Sequence, residues 1–287
     1  MTDFLSRFYG SPGGVEKKYS HRGEITISKS FRDVVVGDFY LRKPHAGRAF
    51  MNIATALILC LIPVLVIAGT YIFKKTDIAA ETGDIRSLLS GRIYYVVSLL
   101  IIVILQIPFF LHYEKNGHDT RTATRIASMV ALNVAGRAAF FMFSDFKPVY
   151  AFTIISGIAF GSAGGFMTGA LTMLISNFLF GQGPWTPWQM LALGLIGFIS
   201  GVLTERGMIP RRRLALSVFG FFMAIVVYGG IMNPAAMLLS VAKPSIKLLA
   251  AYYISGIPVD LVKGAATFVF LWIAADPLLK KIERVSR

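Results

Sequence analysis

The sequence has very little cysteine: Cys60 is the single one in 287 residues. One thiol cannot build an intramolecular disulfide framework or a zinc site made of several cysteines. Cys60 lies inside an apolar run, where cysteine ordinarily serves as a small buried hydrophobe. The sequence therefore excludes a disulfide-stabilised domain and a cysteine-based metal centre.

Charged residues are also scarce, since they make up 15% of the chain against 55% hydrophobic residues, with a mean hydropathy of +0.64. Soluble domains are about 25% charged. This composition predicts an integral membrane protein.

Acidic residues are the rarer sign, 15 against 29 lysines and arginines, which gives a net charge of +14. The basic residues cluster in residues 1–48, 121–125, 206–213 and 280–287. Basic segments that flank apolar spans indicate cytoplasmic loops facing anionic lipid. No nucleic-acid-binding motif accompanies them, so a nucleic-acid partner is not expected.

The usual catalytic motifs are missing: the chain has no Walker A loop, no His-Glu-x-x-His and no Gly-x-Ser-x-Gly. Its four histidines are His21, His45, His112 and His118. All of them precede the third predicted span, in segments expected to be cytoplasmic. The chain is therefore not expected to hydrolyse ATP, and energy for active transport would come from another subunit. The N-terminus has scattered charges and no early apolar segment, so a cleaved signal peptide is not expected.

Long apolar runs are what the sequence has in abundance. They predict an all-α integral membrane protein of about eight spans with both termini in the cytoplasm. A basic cytoplasmic extension (1–48) precedes two additional transmembrane helices (49–120) and a six-helix membrane core (121–287). The predicted spans are Phe50–Phe73, Ile93–Leu111, Ile126–Phe143, two short helices within Val149–Phe180, Pro187–Leu203, Leu214–Met232 and Val259–Ala275.

The run Val149–Phe180 would make one helix of about 48 Å, longer than the hydrocarbon core of about 30 Å but short for two full spans. As a single span it would put the basic loop 206–213 on the opposite side from 121–125, against the positive-inside tendency. A hairpin that turns at Gly161–Gly165 keeps both loops in the cytoplasm. The hairpin predicts that Gly157, Gly161, Gly165 and Gly169 serve a tight turn and close helix contact.

The segment Asn233–Pro258 contains Lys243, Pro244 and Lys247, and it is too polar for a clean span. We expect an amphipathic external loop or lid carrying Tyr252 and Tyr253. In the last span, Asp260 and Lys263 either pair with each other or contribute to the site. Asp276-Pro277 is expected to end that span.

Arg137 lies inside the third predicted span, four residues after Asn133. An arginine at membrane depth normally faces the protein interior or a polar cavity. It either contacts a ligand or gate, or forms a structural ion pair with Asp145 or Asp260. Earlier in this span, small residues recur every four positions at Ala127, Ala131 and Ala135, which permits close approach of a helix from this chain or from a partner.

The chain's most distinctive stretch, Ile175–Met190, interrupts the apolar sequence with a Gly-Pro-Trp-Thr-Pro-Trp turn. Asn177 and Gln189 flank that turn. Membrane helices that meet here would place tryptophans at the headgroup level and amides just below it. The stretch predicts a ligand site that opens to the outer aqueous side.

The chain from Arg125 onward resembles the substrate-binding S components of energy-coupling factor (ECF) transporters, the vitamin-uptake systems of bacteria. The resemblance is carried by Ala127-x-x-x-Ala131, Asn133-Val-Ala-Gly-Arg137, Phe146-Lys-Pro-Val149, the glycine-rich hairpin and the block Ser176–Gln189. It implies a multi-pass subunit of the bacterial cytoplasmic membrane that captures a micronutrient from outside. That subunit would have no cofactor of its own and would dock on a transmembrane coupling subunit driven by two cytosolic ATPase subunits. The face with Ala127, Ala131 and Ala135 would contact the coupling subunit.

The block Ser176–Gln189 is most similar to the branch that includes cobalamin-specific members, which makes a corrinoid the first expected ligand. Stacking aromatics and amides also suit hemes, flavins and other large heterocycles. The candidate substrate-binding residues are Arg137, Asp145, Lys147, Tyr150, Asn177, Gln182, Trp185, Thr186, Trp188, Gln189 and Tyr252.

Two other functions stay open at this point. A membrane enzyme acting on a lipid or isoprenoid would turn over substrate by itself, although carboxylates within the spans are sparse. A regulatory membrane protein would use the basic extension 1–48 to bind a partner.

Overall fold

The computed structural model describes residues 100, 102–104, 106–111, 113–114, 120–210, 212–241 and 244–286. The predicted extension 1–48, the predicted span Phe50–Phe73 and Cys60 lie outside the described residues. The second predicted span is described from residue 100, and its short apolar helix Ile102–Leu111 is α1.

Every regular element in the described part of the chain is helical. After α1 the elements are α2 Thr120–Ala139, a 3-10 turn Phe141–Phe143, α3 Val149–Phe180, α4 Thr186–Glu205, α5 Arg213–Ser240 and α6 Ile246–Ser286. Four of these helices, α3 to α6, are long and apolar enough to cross a membrane. The predicted all-α membrane architecture is therefore confirmed for this part of the chain, and the total of eight spans stays a prediction.

Helix α3 reverses direction at Gly161, whose φ of 79° and ψ of −176° are not helical. The Cα of Gly157 lies 2.7 Å from the position that a Cβ would take on Gly165. In a continuous helix, residues eight apart are separated by about 12 Å. The predicted hairpin is thus confirmed, with one half at 149–160 (α3a) and the other at 162–180 (α3b). Counted this way, residues 120–286 contain six helical segments, the number predicted for the core.

Glu205, the last residue of α4, stabilises this reversal. Its Oε1 accepts a hydrogen bond of 2.8 Å from the backbone N–H of Ser162, the first residue of α3b. A carboxylate at a helix N-terminus satisfies an unpaired donor and interacts favourably with the helix dipole. A Cβ on Gly161 would lie 2.8 Å from the same carboxylate oxygen, so the positive φ and the space both favour glycine.

The two halves of α3 pack directly on the backbone of α4. A Cβ on Gly165 would lie 2.3 Å from the carbonyl oxygen of Gly197, and one on Gly169 would lie 2.5 Å from that of Leu193. Gly157 also faces the Gly197 oxygen, at 2.3 Å. These distances leave no room for any side chain, so the predicted role of the glycines in close helix contact is confirmed.

Helix α5 contains a π-helical segment, Met223–Gly229, followed by Pro234 inside the next helical turns. Proline has no N–H, so the carbonyl of Gly230, four residues earlier, loses its usual donor. The hydroxyl of Tyr253 on α6 donates to that carbonyl at 2.9 Å. The hydrogen bond that Pro234 removes from α5 is thereby replaced by a hydrogen bond from α6.

The predicted external loop Asn233–Pro258 is wrong. Helix α5 runs on to Ser240 and α6 begins at Ile246, so Tyr252 and Tyr253 lie on a helix and not on a lid. The polar residues are compatible with helices because Lys247 is exposed at the start of α6 and because Tyr253 satisfies the carbonyl that Pro234 leaves free.

Two predicted helix ends are also wrong. Helix α2 ends at Ala139 and not at Phe143, because the chain tightens there into the 3-10 turn. Helix α6 does not end at Asp276-Pro277 but continues to Ser286. Asp276 forms an ion pair with Arg213 at the start of α5, so its charge is compensated inside the helix.

The glycine contact generates a stability prediction. In Gly197→Ala the new Cβ would lie 2.1 Å from the carbonyl oxygen of Gly165, a backbone atom that cannot rotate away. Overpacking of this kind costs about 1–3 kcal/mol. We expect a thermal unfolding midpoint about 5 °C lower in detergent.

Gly230→Ala is the matched control, because a Cβ there meets nothing within 4 Å. Its midpoint should stay at the wild-type value. Equal midpoints for the two variants would contradict the packing described between α3b and α4.

Candidate functional site

Two polar clusters lie at the end of the helices opposite the Gly161 reversal. The amide cluster joins α2, α3b and α4, and it consists of Arg137, Ser176, Asn177, Thr186 and Gln189. The charged cluster lies between α5 and α6 and reaches the segment before α3a; it consists of Asp145, Asn233, Asp260 and Lys263.

Asn177 is the centre of the amide cluster. Its Nδ2 donates to Thr186 Oγ1 at 2.9 Å and to Gln189 Oε1 at 2.8 Å, while its Oδ1 accepts from Arg137 Nη1 at 2.8 Å. The side chain is 1% exposed. Both amide hydrogens and the oxygen are therefore engaged inside the protein.

Arg137 has neutral partners among the described residues. Its Nη1 also bonds the hydroxyl of Ser176, and the guanidinium lies 5.2 Å from the centre of the Phe180 ring. The predicted structural ion pair with Asp145 or Asp260 is wrong. The reason is that α2 delivers Arg137 to the C-terminal end of α3b, where hydroxyl and amide oxygens take the place of a carboxylate.

The Trp-containing turn between α3b and α4 separates its two tryptophans. Trp185 is 41% exposed, whereas Trp188 is 7% exposed inside the core. Gln182 accepts from Thr186 Oγ1 at 2.8 Å and donates to the carbonyl of Leu174 at 3.0 Å, so it links the turn to both flanking helices. The predicted turn is confirmed, and contact of these residues with a ligand stays a prediction.

The charged cluster centres on Asp260, which is 5% exposed. Its Oδ1 accepts from Lys263 Nζ at 3.0 Å and its Oδ2 accepts from Asn233 Nδ2 at 2.8 Å. Lys263 also lies 4.0 Å from Asp145 Oδ1 and 5.4 Å from the centre of the Tyr228 ring. The predicted pairing of Asp260 with Lys263 is confirmed.

Two glycines make room for this cluster. A Cβ on Gly229 would lie 2.4 Å from Asp260 Oδ2, and one on Gly256 would lie 2.2 Å from Asn233 Oδ1. Gly229 is the last residue of the π-helical segment. Such π segments occur often at functional sites because they shift the register of the following side chains.

Aromatic residues and a second lysine complete the surroundings. Tyr150 and Tyr228 are both buried, with ring centres 4.9 Å apart in an edge-to-face arrangement. Lys147 lies half-buried in the segment before α3a. Partial burial is the main cause that lowers the pKa of the Lys147 ammonium, and the positive charge of Arg137 lowers it further.

The remaining predicted residues are placed as follows. Tyr252 is partly exposed on α6. Ala127, Ala131 and Ala135 all lie on the exposed side of α2, in agreement with a face that is open to a neighbouring helix.

Sequence patterns alone did not single out Asn233 or Tyr228, and they left two alternatives for Lys263, pairing with Asp260 or a place in the site. The sequence feature that could have indicated them is the presence of amide, carboxylate and ammonium groups within otherwise apolar stretches. Such residues are costly in a membrane and therefore often mark a functional site. Asn233 was not singled out because the whole segment Asn233–Pro258 was expected to form an external loop.

The chemistry of the charged cluster suits recognition more than catalysis. A carboxylate, an ammonium and an amide side by side present both donors and acceptors to a ligand with mixed carbonyl and N–H groups. The part of the chain that the structure describes contains no group of three or more histidine, cysteine or acidic residues able to hold a metal ion.

The chain is similar to a known family of proteins. The sequence model described as "ECF-type riboflavin transporter, S component" matches residues 118–284, which is more than half of the chain. Neither the search of curated proteins nor the search of solved structures found a match.

The amide cluster generates a prediction. Asn177→Leu keeps the branched shape of the side chain but removes three hydrogen bonds, one of them to a guanidinium. Since hydrogen bonds to charged groups contribute about 1.5–3 kcal/mol, we expect a marked fall in the thermal unfolding midpoint.

The double variant Arg137→Met with Asn177→Leu should be more stable than the sum of the single effects implies. It leaves no unpaired guanidinium between α2 and α3b. Simple additivity in this double-mutant cycle would contradict the contact between Arg137 and Asn177.

Proposed function

The chain belongs to the family of S components of ECF-type riboflavin transporters, and from that premise we propose that it captures a heterocyclic vitamin in the charged cluster. S components are substrate-binding subunits of transporters and are not themselves the ATPases. The proposal concerns the ligand, the residues that hold it and the subunits that complete the transporter.

The observation that carries the proposal is the burial of Asp260 and Lys263, at 5% and 9% exposure, in helices that are otherwise apolar. Charges at membrane depth are costly and typically mark a ligand or ion pathway. The amide cluster is a weaker candidate for direct contact because the polar atoms of Asn177 are already engaged. We therefore assign the amide cluster to holding the helices and the charged cluster to binding.

The charged cluster favours a flat ring whose edge carries both carbonyl and N–H groups. Among the described residues Lys263 makes one hydrogen bond, to Asp260, and the other two hydrogens of its ammonium can bond a ligand oxygen. Asp260 accepts from such an N–H group, and Tyr150 and Tyr228 supply the adjoining aromatic surface. A flavin has these features, and it agrees with the name of the matched family. A corrinoid, expected from the block Ser176–Gln189, is the competing ligand.

The partners follow from membership of the family. We propose that the protein docks on a membrane coupling subunit through the exposed small residues Ala127, Ala131 and Ala135, and that two cytosolic ATPase subunits drive it. We place it in the bacterial cytoplasmic membrane with both polar clusters toward the outside. The basic segment 206–213, which follows the opposite end of α4, would then face the cytoplasm, as the positive-inside tendency requires.

The absorption spectrum of the full-length protein, purified without added ligand and then after incubation with riboflavin or cobalamin, identifies the ligand class. We expect retained absorption with a flavin spectrum. A corrinoid spectrum would replace riboflavin with cobalamin in this proposal. Retention of neither compound would contradict the proposed ligand class.

A matched pair of lysine variants on α6 tests the binding residues. Lys263→Met removes the buried ammonium, and we expect riboflavin affinity to fall about 10–100-fold, since a charged hydrogen bond contributes about 1.5–3 kcal/mol. Lys247→Met changes an exposed lysine of the same helix and should leave affinity at the wild-type value. Titration of protein-bound flavin fluorescence measures both, and unchanged affinity in Lys263→Met would remove the charged cluster from the site.

A further inference from the structure

Helix α1 precedes the residues that match the family, which begin at 118, yet it is packed into the same core. Phe109 is 4% exposed. Its ring stacks on Phe166 of α3b with centres 4.2 Å apart and meets Phe198 of α4 edge-on at 5.0 Å. An aromatic side chain from outside the family core thus fills the groove between two core helices.

One turn earlier, Gln106 makes a polar contact with the core. Its Nε2 donates to the carbonyl of Pro187 in the first turn of α4 and to the carbonyl of Ile102 in its own helix, both at 3.2 Å. Gln106 is 4% exposed, so these bonds form away from solvent. Both hydrogens of the amide group are therefore engaged. The bond to Pro187 joins two residues that are 81 positions apart in the sequence.

Pro187 lies at the point where the Trp-containing turn enters α4. Thr186 immediately before it and Gln189 two residues after it both accept from Asn177. Asn177 in turn holds Arg137 of α2. The Gln106 bond therefore fixes the backbone segment that supplies two of the five members of the amide cluster, Thr186 and Gln189.

We propose that Gln106 is a positioning residue for this segment: it holds the turn 181–187 and the first turn of α4, and through them the arrangement of the amide cluster at the ligand end of the protein. The link to ligand retention rests on the proposed function. Helix α1 would therefore contribute to ligand binding by positioning this turn, although it lies outside the residues that match the family.

The position of this hydrogen bond allows us to distinguish stabilisation of the turn alone from stabilisation of the whole fold by Gln106. The aromatic packing of Phe109 attaches α1 to the core whether or not Gln106 bonds Pro187. Loss of the Gln106 amide should therefore loosen the turn and leave the rest of the fold in place. Loss of one hydrogen bond of about 0.5–1.5 kcal/mol makes local opening about three- to tenfold more frequent.

The test is hydrogen exchange by mass spectrometry on the full-length protein. Gln106→Met removes the donor at nearly equal length, and Ile107→Met places the same side chain at the adjacent position, which is 47% exposed. We expect exchange in the peptide 181–190 to rise about three- to tenfold in Gln106→Met and to stay at the wild-type rate in Ile107→Met. The peptide 213–222 at the start of α5 should not change in either variant.

Unchanged exchange at 181–190 in Gln106→Met overturns the proposal, and so does an equal rise at 213–222, which would show a general loss of stability. Should Gln106→Met not fold, Gln106→Asn decides the question, because it keeps the amide but withdraws the donor from Pro187 by one methylene. We expect the same local rise in that variant.

A second measurement connects the segment to the ligand. Riboflavin release from Gln106→Met should be about three- to tenfold faster than from wild type. An unchanged release rate together with increased exchange overturns the link to ligand retention. If the wild-type protein retains no riboflavin, the proposed ligand fails, while the exchange result still decides the role of Gln106.

Discussion

The contact on which the rest of the structure depends is the direct approach of backbone to backbone between α3 and α4. Gly157 and Gly165, one from each half of the hairpin, both face the carbonyl of Gly197. In a membrane the lipid chains are as apolar as leucine side chains, so helices gain little from hydrophobic burial against one another. Close van der Waals contact at residues without side chains supplies the attraction instead. Three helical segments are thereby fixed as one unit, and α1 adds its aromatic residues to that unit.

This unit determines where the polar groups meet. Because α3 reverses at Gly161, the C-terminal end of α3b and the N-terminal end of α3a lie at the same end of the bundle. Asn177 and Tyr150 are therefore brought to that end together with Arg137. Helices α5 and α6 contribute Asn233, Asp260 and Lys263. A π-helical segment in α5 and two glycines leave room for these polar side chains. In the first cluster the side chain of Asn177 has all its hydrogen-bonding atoms engaged, and in the second the carboxylate of Asp260 bonds both Lys263 and Asn233.

Sequence patterns with a direct geometric meaning predicted their part of the structure correctly. The length of the run Val149–Phe180 and the positive-inside tendency of the flanking basic loops predicted the hairpin, and the glycines within it were expected to serve the turn and close helix contact. The three-residue spacing of Asp260 and Lys263 is compatible with their pairing on one helix face, one of the two alternatives for these residues. The pattern failed where a polar residue has its partner on a distant element. Tyr253 occupies the donor position that Pro234 leaves empty, and no local rule connects residues 19 apart across two helices. For the same reason Asn233 was placed in a loop. The carboxylates considered for Arg137 as one of two alternatives were wrong, because the oxygens that it contacts lie about 40 residues further along the chain.

The position of Gly161 within its helix also has a consequence for the membrane around the protein. The reversal divides α3 unequally, into 12 residues before it and 19 after it. At 1.5 Å per residue the shorter half covers about 18 Å, well below the hydrocarbon thickness of about 30 Å. The segment 140–148 that precedes α3a carries Asp145 and Lys147 and consists of a 3-10 turn and irregular backbone. Irregular backbone is tolerated at membrane depth only where protein or water shelters it. The position of Gly161 in the sequence thus sets how much of the bilayer α3a can cross as a helix.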